Sequence, residues 1–150
     1  MADFNLAVEK TLRREDGYVN DPNDNGGETK YGISKRAFPN EDIKNLTIER
    51  AKELYNIHYW RLIKGDEITS QLIAETIFDF AVNAGVSAAV KLIQAGAKLK
   101  QDGIMGNDTL KAVNSESEAQ FTAFYALAKI ARYVAICEKN PEQKKFFYGW

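Results

Sequence analysis

The apolar residues of this chain recur mostly three and four positions apart, which is the spacing of a helix with one buried face. The first such face lies near the N-terminus and comprises Phe4, Val8, Thr11, Leu12 and Glu15. Asp16-Gly17 follows and is expected to end this helix, because glycine interrupts helices. A carboxylate therefore closes the apolar face of the first predicted helix.

The same spacing predicts further helices over residues 48–60, 70–84, 87–99, 109–113 and 115–139, with a last short helix near the C-terminus. On the 70–84 helix it predicts one apolar face, formed by Leu72, Ile73, Thr76, Ile77, Phe80 and Ala81. Residues 18–33 differ, since turn-forming residues there alternate with Tyr18, Val19, Tyr31 and Ile33, which suit short strands. The prediction is a mainly α fold with a small β-hairpin element near residues 18–33.

Composition excludes several classes of function. The 150 residues suffice for one domain or two fused lobes, and the net charge of −1 gives no bulk attraction to nucleic acid. No disulfide can form within the chain, because Cys137 is the single cysteine, and a Cys/His zinc site or a Ser-His-Asp triad is disfavoured, because His58 is the single histidine and would have to serve alone. No apolar run is long enough to span a membrane, and no signal peptide is recognised. We expect Cys137 to be a buried thiol.

Two carboxylates and a hydroxyl carry the candidate chemistry. Glycoside hydrolysis needs a protonated carboxyl group as general acid and a second, ionised group across the sugar ring. Glu15 suits the first role, because partial burial on an apolar helix face raises the pKa of a carboxyl group. Asp24 and Thr29 follow in a turn-rich segment. The alternatives are a helix-end Glu15 paired with a basic residue and an Asp24 that only bonds its own turn.

Asp79 and Asn83 form a polar stripe on the apolar 70–84 helix, either lining a sugar groove or bonding neighbouring elements. Asp21 begins a stretch that resembles a calcium loop. Its twelfth position is Gly32 instead of glutamate, so no metal site is expected. The aromatic residues at helical spacing are expected to be mainly core, although three of them are also candidates for stacking on sugars: Tyr55, Tyr59 and Trp60. The core expectation covers Phe121, Phe124, Tyr125 and 146–148.

Several motifs together resemble glycoside hydrolase family 108, the bacterial and phage N-acetylmuramidases. The family signature Glu-Gly-Gly-Tyr, Asp-x-Gly-Gly-x-Thr and Tyr-Gly-Ile is matched at residues 15–18, 24–29 and 31–33. Asp16 departs from the first of these by replacing a glycine. Further matches are Ala51-Lys-Glu-Leu-Tyr, Tyr59-Trp60, residues 78–85, Asp102-Gly-Ile-Met-Gly-Asn-Asp-Thr-Leu and Gly149-Trp150.

The resemblance implies a lysozyme-like fold and cleavage of the β-1,4 bond between N-acetylmuramic acid and N-acetylglucosamine. It implies Glu15 as the catalytic acid, and a wider likeness to phage-type lysozymes implies that Asp24 and Thr29 complete the catalytic group. Tyr18, Tyr31, Asp79 and Asn83 are the substrate-binding candidates. We expect a catalytic lobe over residues 1–75 and a peptidoglycan-binding lobe over 76–150, packed as one unit without a cofactor.

Two other readings remain open. One is a non-catalytic protein that binds the wall or assists secretion, favoured only by Asp16, and the other is a lytic transglycosylase, which needs Glu15 alone. The expected partner is the peptidoglycan glycan strand, and the protein is expected to be a monomer. We expect synthesis in the bacterial cytoplasm and action at the wall or in the periplasm, after release by a holin or by an export system.

Overall fold

Six α-helices and one small antiparallel sheet make up most of what the computed structural model describes, which is residues 1–14, 17–20 and 27–149, with the backbone alone for Arg14 and 146–149. The helices are α1 (Phe4–Arg14), α2 (Ile48–Tyr55), α3 (Gln71–Ala84), α4 (Val86–Gly96), α5 (Asn107–Ser115) and α6 (Glu118–Lys139). The strands are β1 (Tyr18–Asn20), β2 (Glu28–Lys30) and β3 (Ile33–Ser34), paired in that order. The predicted mainly α fold with a small β element is confirmed.

Short polar residues set the helix ends. The side chains that cap α2, α3 and α6 accept hydrogen bonds from backbone N–H groups three residues later and belong to Thr47, Ser70 and Ser117. Helix α3 ends at Gly85, whose φ of +92° suits glycine. The helix predicted over residues 109–113 is longer in the structure, since α5 begins at Asn107, directly after its cap Gly106, and ends at Ser115.

Helix α2 does not continue to residue 60 as an α-helix. It changes at Asn56 into one π-helical turn (Asn56–Trp60), in which Arg61 N donates to Asn56 O at 2.9 Å. Trp60 is fully buried, and its Nε1 donates to Asp66 Oδ1 at 2.8 Å. A 3₁₀ turn (Gly65–Glu67) then passes its first residue directly against the indole ring.

Helix α3 is buried on two sides. Phe78 and Phe80 are two positions apart, so they project toward opposite sides of the helix. The Phe78 ring centroid lies 5.7 Å from that of Trp60 and 6.1 Å from that of Tyr55. The Phe80 centroid lies 5.8 Å from that of Tyr125 on α6. Helix α3 therefore contacts two aromatic clusters of the core, one around Trp60 and Tyr55 and the other around Tyr125.

This arrangement corrects the single apolar face predicted for α3. Leu72 is 45% exposed, whereas Ala74 and Phe78, outside the predicted face, are buried. The prediction assumed one packing partner, but α3 packs against α1 on one side and α4 and α6 on others. The predicted burial is confirmed for Tyr55, Trp60, Phe121, Tyr125 and Cys137. It is wrong for Phe124, which is 39% exposed. The side chains of 146–148 lie outside the described residues.

The predicted division between residues 75 and 76 falls inside α3, and the two-lobe arrangement stays a prediction. Across the described helices, none combines the length and apolar character needed to cross a membrane.

Replacing Gly65 with alanine is expected to destabilise the fold. The new Cβ would lie 2.2 Å from Trp60 Cε2, and a fully buried indole has no room to retreat. We expect the free energy of unfolding to fall by about 2 kcal/mol or more, as in other overpacked cores. Chemical denaturation of G65A beside G106A measures this, since a Cβ at Gly106 meets nothing within 4 Å. Equal stability of the two variants would contradict the expectation.

Candidate active site

The first helix leads the chain toward the candidate acid. Helix α1 turns Val8 and Thr11 into the core, where they are 0% and 7% exposed. Thr11 is the last residue of α1 that is buried among those with described side chains. Glu15 follows α1 directly in the sequence and lies outside the described residues, as does Asp24, which falls between β1 and β2 in the sequence. Their roles stay predictions, and the described residues around them define the candidate site.

Thr29 lies in the middle of the sheet. Its partner across β1 is Val19 and its partner across β3 is Ser34, so these three side chains share one face of the sheet. Thr29 is half-buried, and its Oγ1 donates to Gly27 O at 3.5 Å. That distance leaves the bond weak, so the hydroxyl keeps capacity for another partner.

Tyr18 faces the other side of the sheet. It pairs with Lys30 across β2, and its hydroxyl donates to Glu28 Oε1 at 2.8 Å. The hydrogen bond to this carboxylate, assisted by desolvation, raises the pKa of Tyr18 above its ordinary value. Because neighbouring residues of a strand point to opposite faces, Tyr18 and Thr29 do not project into the same space.

Tyr31 lies in the turn that joins β2 to β3. Lys30 pairs with Ile33, so Tyr31 and Gly32 form a two-residue hairpin loop. Their φ values of 52° and 75° are both positive, as a type I′ turn requires. A tyrosine is rarely found in this left-handed conformation. The buried Tyr55 hydroxyl holds the turn by donating to Tyr31 O at 2.8 Å.

Asp79 and Asn83 lie on α3, one helical turn apart. The polar contacts Asp3–Gln71 and Lys10–Glu75 advance together along the two helices, so α1 and α3 run in the same direction. Asp79 is half-buried and lines a cavity of about 230 Å³ together with Thr11 of α1. Asn83 is exposed, and its Nδ2 donates to Asp79 O at 2.9 Å.

The motif at residues 102–110 is held by a buried glutamine. Gln94 Nε2 lies 2.8 Å from Asp102 Oδ1, and Gln94 Oε1 accepts from Gly103 N at 3.0 Å. Asp102 also accepts from Ile104 N at 2.9 Å. These bonds, that from Ile104 first and that from Gln94 next, lower the pKa of Asp102. Asp102 therefore orders its own loop.

The structure brings the predicted residues into two groups. Tyr18, Thr29 and Tyr31 share the sheet, whereas Asp79 and Asn83 share α3. Glu15 is one residue after α1 and three before β1, so the chain passes through it between helix and sheet. Within the described residues, Thr29 and Tyr18 lie on opposite faces of the strands that follow, and Tyr31 lies in the turn between β2 and β3.

A mostly helical chain with a small antiparallel sheet after its first helix matches the lysozyme-like class of fold. Residues 8–85 match the family model described as glycosyl hydrolase 108, and residues 88–150 match one described as a predicted peptidoglycan domain. The chain belongs to glycoside hydrolase family 108 and is a lysozyme-like peptidoglycan hydrolase with peptidoglycan as its partner. The two matched regions meet just after α3.

A solved structure supports this assignment. The chain is similar to SagA of Brucella abortus, with a TM-score of 0.76 and 30% sequence identity over 85% of this chain and 78% of that chain. No protein with a curated functional description matches the sequence.

Sequence reasoning missed the partners of the candidate residues. It did not identify Glu28 as the acceptor for Tyr18, nor Gln94 as the residue that orders the 102–110 motif. Neither pairing follows from helical spacing, because both join residues of different elements or loops. The Tyr31-Gly32 turn did carry a signal, namely a glycine between two short strand-forming runs.

Replacing Tyr55 with phenylalanine is expected to loosen the Tyr31–Gly32 turn. Loss of the hydroxyl leaves Tyr31 O without its 2.8 Å partner, which costs about 1 kcal/mol of folding free energy. We expect hydrolysis of peptidoglycan to fall as well, because the turn carries β2 with Thr29. Chemical denaturation and turbidity clearing of cell-wall suspensions measure the two effects.

The matched control is Tyr125→Phe. Tyr125 is equally buried, and its hydroxyl donates to Ala89 O at 3.1 Å in the helical part of the fold. Y125F is expected to lose similar stability and to keep its activity at temperatures well below unfolding. If both variants lose activity equally, the turn has no particular role.

Proposed function

We propose that this protein is an N-acetylmuramidase that cleaves the β-1,4 bond between N-acetylmuramic acid and N-acetylglucosamine, with Glu15 as general acid. The observation that carries the proposal is the match of residues 8–85 to the hydrolase family, which includes the whole segment from Glu15 to Thr29. The described geometry is consistent with it, because α1 turns Val8 and Thr11 into the core and ends at Arg14, one residue before Glu15 in the sequence.

In this proposal the Glu15 carboxyl group donates its proton to the glycosidic oxygen as the bond to the sugar C1 breaks. Positive charge then develops on the ring, and an ionised Asp24 stabilises it or holds the attacking water. Thr29 positions that water through its hydroxyl, which makes only a 3.5 Å contact with Gly27 O. The water adds to C1, and its proton returns to a carboxylate.

Substrate contacts are proposed for both groups of predicted residues. Tyr18 and Tyr31 present phenol rings from the sheet, and Tyr18 is 40% exposed. Asn83 is exposed on α3, and Asp79 lines the cavity beside α1. Residues 88–150 supply the wall-binding region in this proposal, which keeps the enzyme close to its polymeric substrate.

Replacing Glu15 with glutamine is expected to abolish turnover. The amide keeps the size of the side chain but has no acidic proton, and loss of general acid catalysis costs about 10²–10⁴-fold in rate. Purified peptidoglycan is digested with wild type and E15Q, and the fragments are analysed by mass spectrometry. Reducing muramic acid ends are expected from wild type and none from E15Q.

Glu9→Gln is the matched control. Glu9 lies on α1 with a 50% exposed side chain, so E9Q is expected to retain wild-type activity. Anhydromuramic ends from the wild type would identify a lytic transglycosylase instead of a hydrolase. Absence of fragments from wild type, with the protein still bound to the wall, would leave a binding protein and overturn the proposal.

Two substitutions at Thr29 distinguish a role of its hydroxyl in positioning water from a role of its side chain in packing. Thr29→Val keeps the branched shape on the strand but removes the hydroxyl, so we expect a drop in kcat of about 10-fold or more with little change in stability. Thr29→Ser keeps the hydroxyl and is expected to retain most of the activity. Initial rates on soluble glycan fragments measure both. Equal activity of T29V and wild type would remove Thr29 from the mechanism.

A further inference from the structure

Helix α6 presents an uncharged surface to solvent over more than half its length. Between residues 122 and 135, Thr122 is the one exposed residue that is polar. The exposed apolar residues of this segment are Ala123, Phe124, Ala126, Leu127, Ile130, Ala131, Val134 and Ala135. Leu127 and Ile130 are 68% and 52% exposed. The surface is about 20 Å long at the helical rise. We call it the α6 face.

The charged side chains of this segment lie on the opposite side of α6, toward the protein interior. Lys129 and Arg132 are half-buried, and Lys129 Nζ lies 5.7 Å from the Phe80 ring centroid and 5.8 Å from that of Tyr125. The usual arrangement of a surface helix, with apolar residues inward and charges outward, is thus reversed here on one side. A contiguous exposed apolar surface of this kind marks an interaction site.

The spacing on the α6 face is that of a helix-pairing seam. Phe124, Leu127, Ala131 and Val134 follow at intervals of three, four and three residues, which is the heptad pattern of packed helices. Small residues beside the seam allow a second helix to approach closely. These residues are Ala123, Ala128 and Ala135.

The seam is complementary to itself when a second copy runs in the opposite direction. Phe124 of one copy then lies opposite Val134 of the other, and Leu127 lies opposite Ala131. Each layer combines a large side chain with a smaller one, as close packing requires. A parallel pair would instead oppose Phe124 to Phe124 and Ala131 to Ala131, which crowds one layer and leaves a gap in another.

We propose that the α6 face binds the α6 face of a second copy of this chain, forming a twofold symmetric dimer with antiparallel α6 helices. The direction follows from the layers of the seam, since in the antiparallel pair each layer opposes a large side chain to a smaller one. This departs from the monomer expected from the sequence.

A cavity continues from the seam. It has a volume of about 260 Å³, lies between α4, α5 and α6, and is lined by Phe121 and Phe124 with Glu116 and Gln120. A second helix over Phe124 covers the edge of this cavity, so the dimer removes more apolar surface from water than the seam alone. A lipid surface fits less well, since membrane-surface helices carry exposed lysine and arginine beside their apolar face. Lys129 and Arg132 are turned inward instead.

The first experiment measures mass against concentration by sedimentation equilibrium. Wild type is expected to shift from 16.9 kDa to twice that mass with a Kd in the micromolar range, because a single helix seam is smaller than a standard interface of about 1,600 Å². Leu127→Glu places a charge in the seam and is expected to raise the Kd by about 100-fold or more. Leu62→Glu is the control, since Leu62 is 54% exposed and lies outside α6.

Cysteine cross-linking tests the direction. Separately purified L127C and A131C are mixed and oxidised, and a covalent dimer is expected from the mixture but not from either variant alone. Cys137 is buried and common to all samples. Cross-linking of each variant with itself would overturn the antiparallel arrangement.

Three results would overturn the dimer itself. One is wild type that stays at 16.9 kDa up to about 1 mM, where even weak specific pairs associate. Another is an L127E variant that dimerises as wild type does. The third is monomeric protein that binds phosphatidylglycerol vesicles through Leu127, which would assign the α6 face to a lipid surface.

Discussion

The burial of α3 on two opposite sides is the constraint on which the rest of the fold depends. Phe78 packs against Trp60 and Tyr55, and Phe80 packs against Tyr125, although the two phenylalanines are only two residues apart. The region matched by the hydrolase family therefore shares its central helix with the region matched by the peptidoglycan domain. Because the same helix stabilises both aromatic clusters, neither region has a complete core alone.

The core reaches the candidate site through Tyr55. Its ring lies 6.1 Å from Phe78 and its hydroxyl bonds Tyr31 O in the turn between β2 and β3. Tyr31 keeps a positive φ of 52°, which costs conformational energy that this bond and the packing offset. The sheet has three short strands, of which the first is exposed, so a buried tyrosine helps to fix strands that could not order themselves. Because Thr29 is two residues before Tyr31 on the same hairpin, the bond to Tyr31 O also helps to fix the position of Thr29.

Helical spacing in the sequence predicted the class of fold and most helix positions, because each helix buries a continuous face. It failed for Leu72 and Phe78, since spacing within one helix does not reveal how many neighbours the helix has. The candidate site residues were chosen from helical spacing and motif likeness, and the roles of Glu15, Asp24 and Thr29 stay predictions. The bonds of Tyr18 to Glu28 and of Gln94 to Asp102 were not predictable, because they depend on how separate segments fold together.

Helix α6 carries two kinds of surface for a physical reason. Phe121 and Tyr125 stack at 5.2 Å on its inner side and complete the core around Phe80. A helix needs only one such face to be held in place, so its outer face is not constrained by folding. Exposed leucine and isoleucine add nothing to the stability of a monomer, whereas Lys129 lies inward over aromatic rings. The apolar outer face therefore has its physical explanation in binding, and its heptad spacing favours another α6.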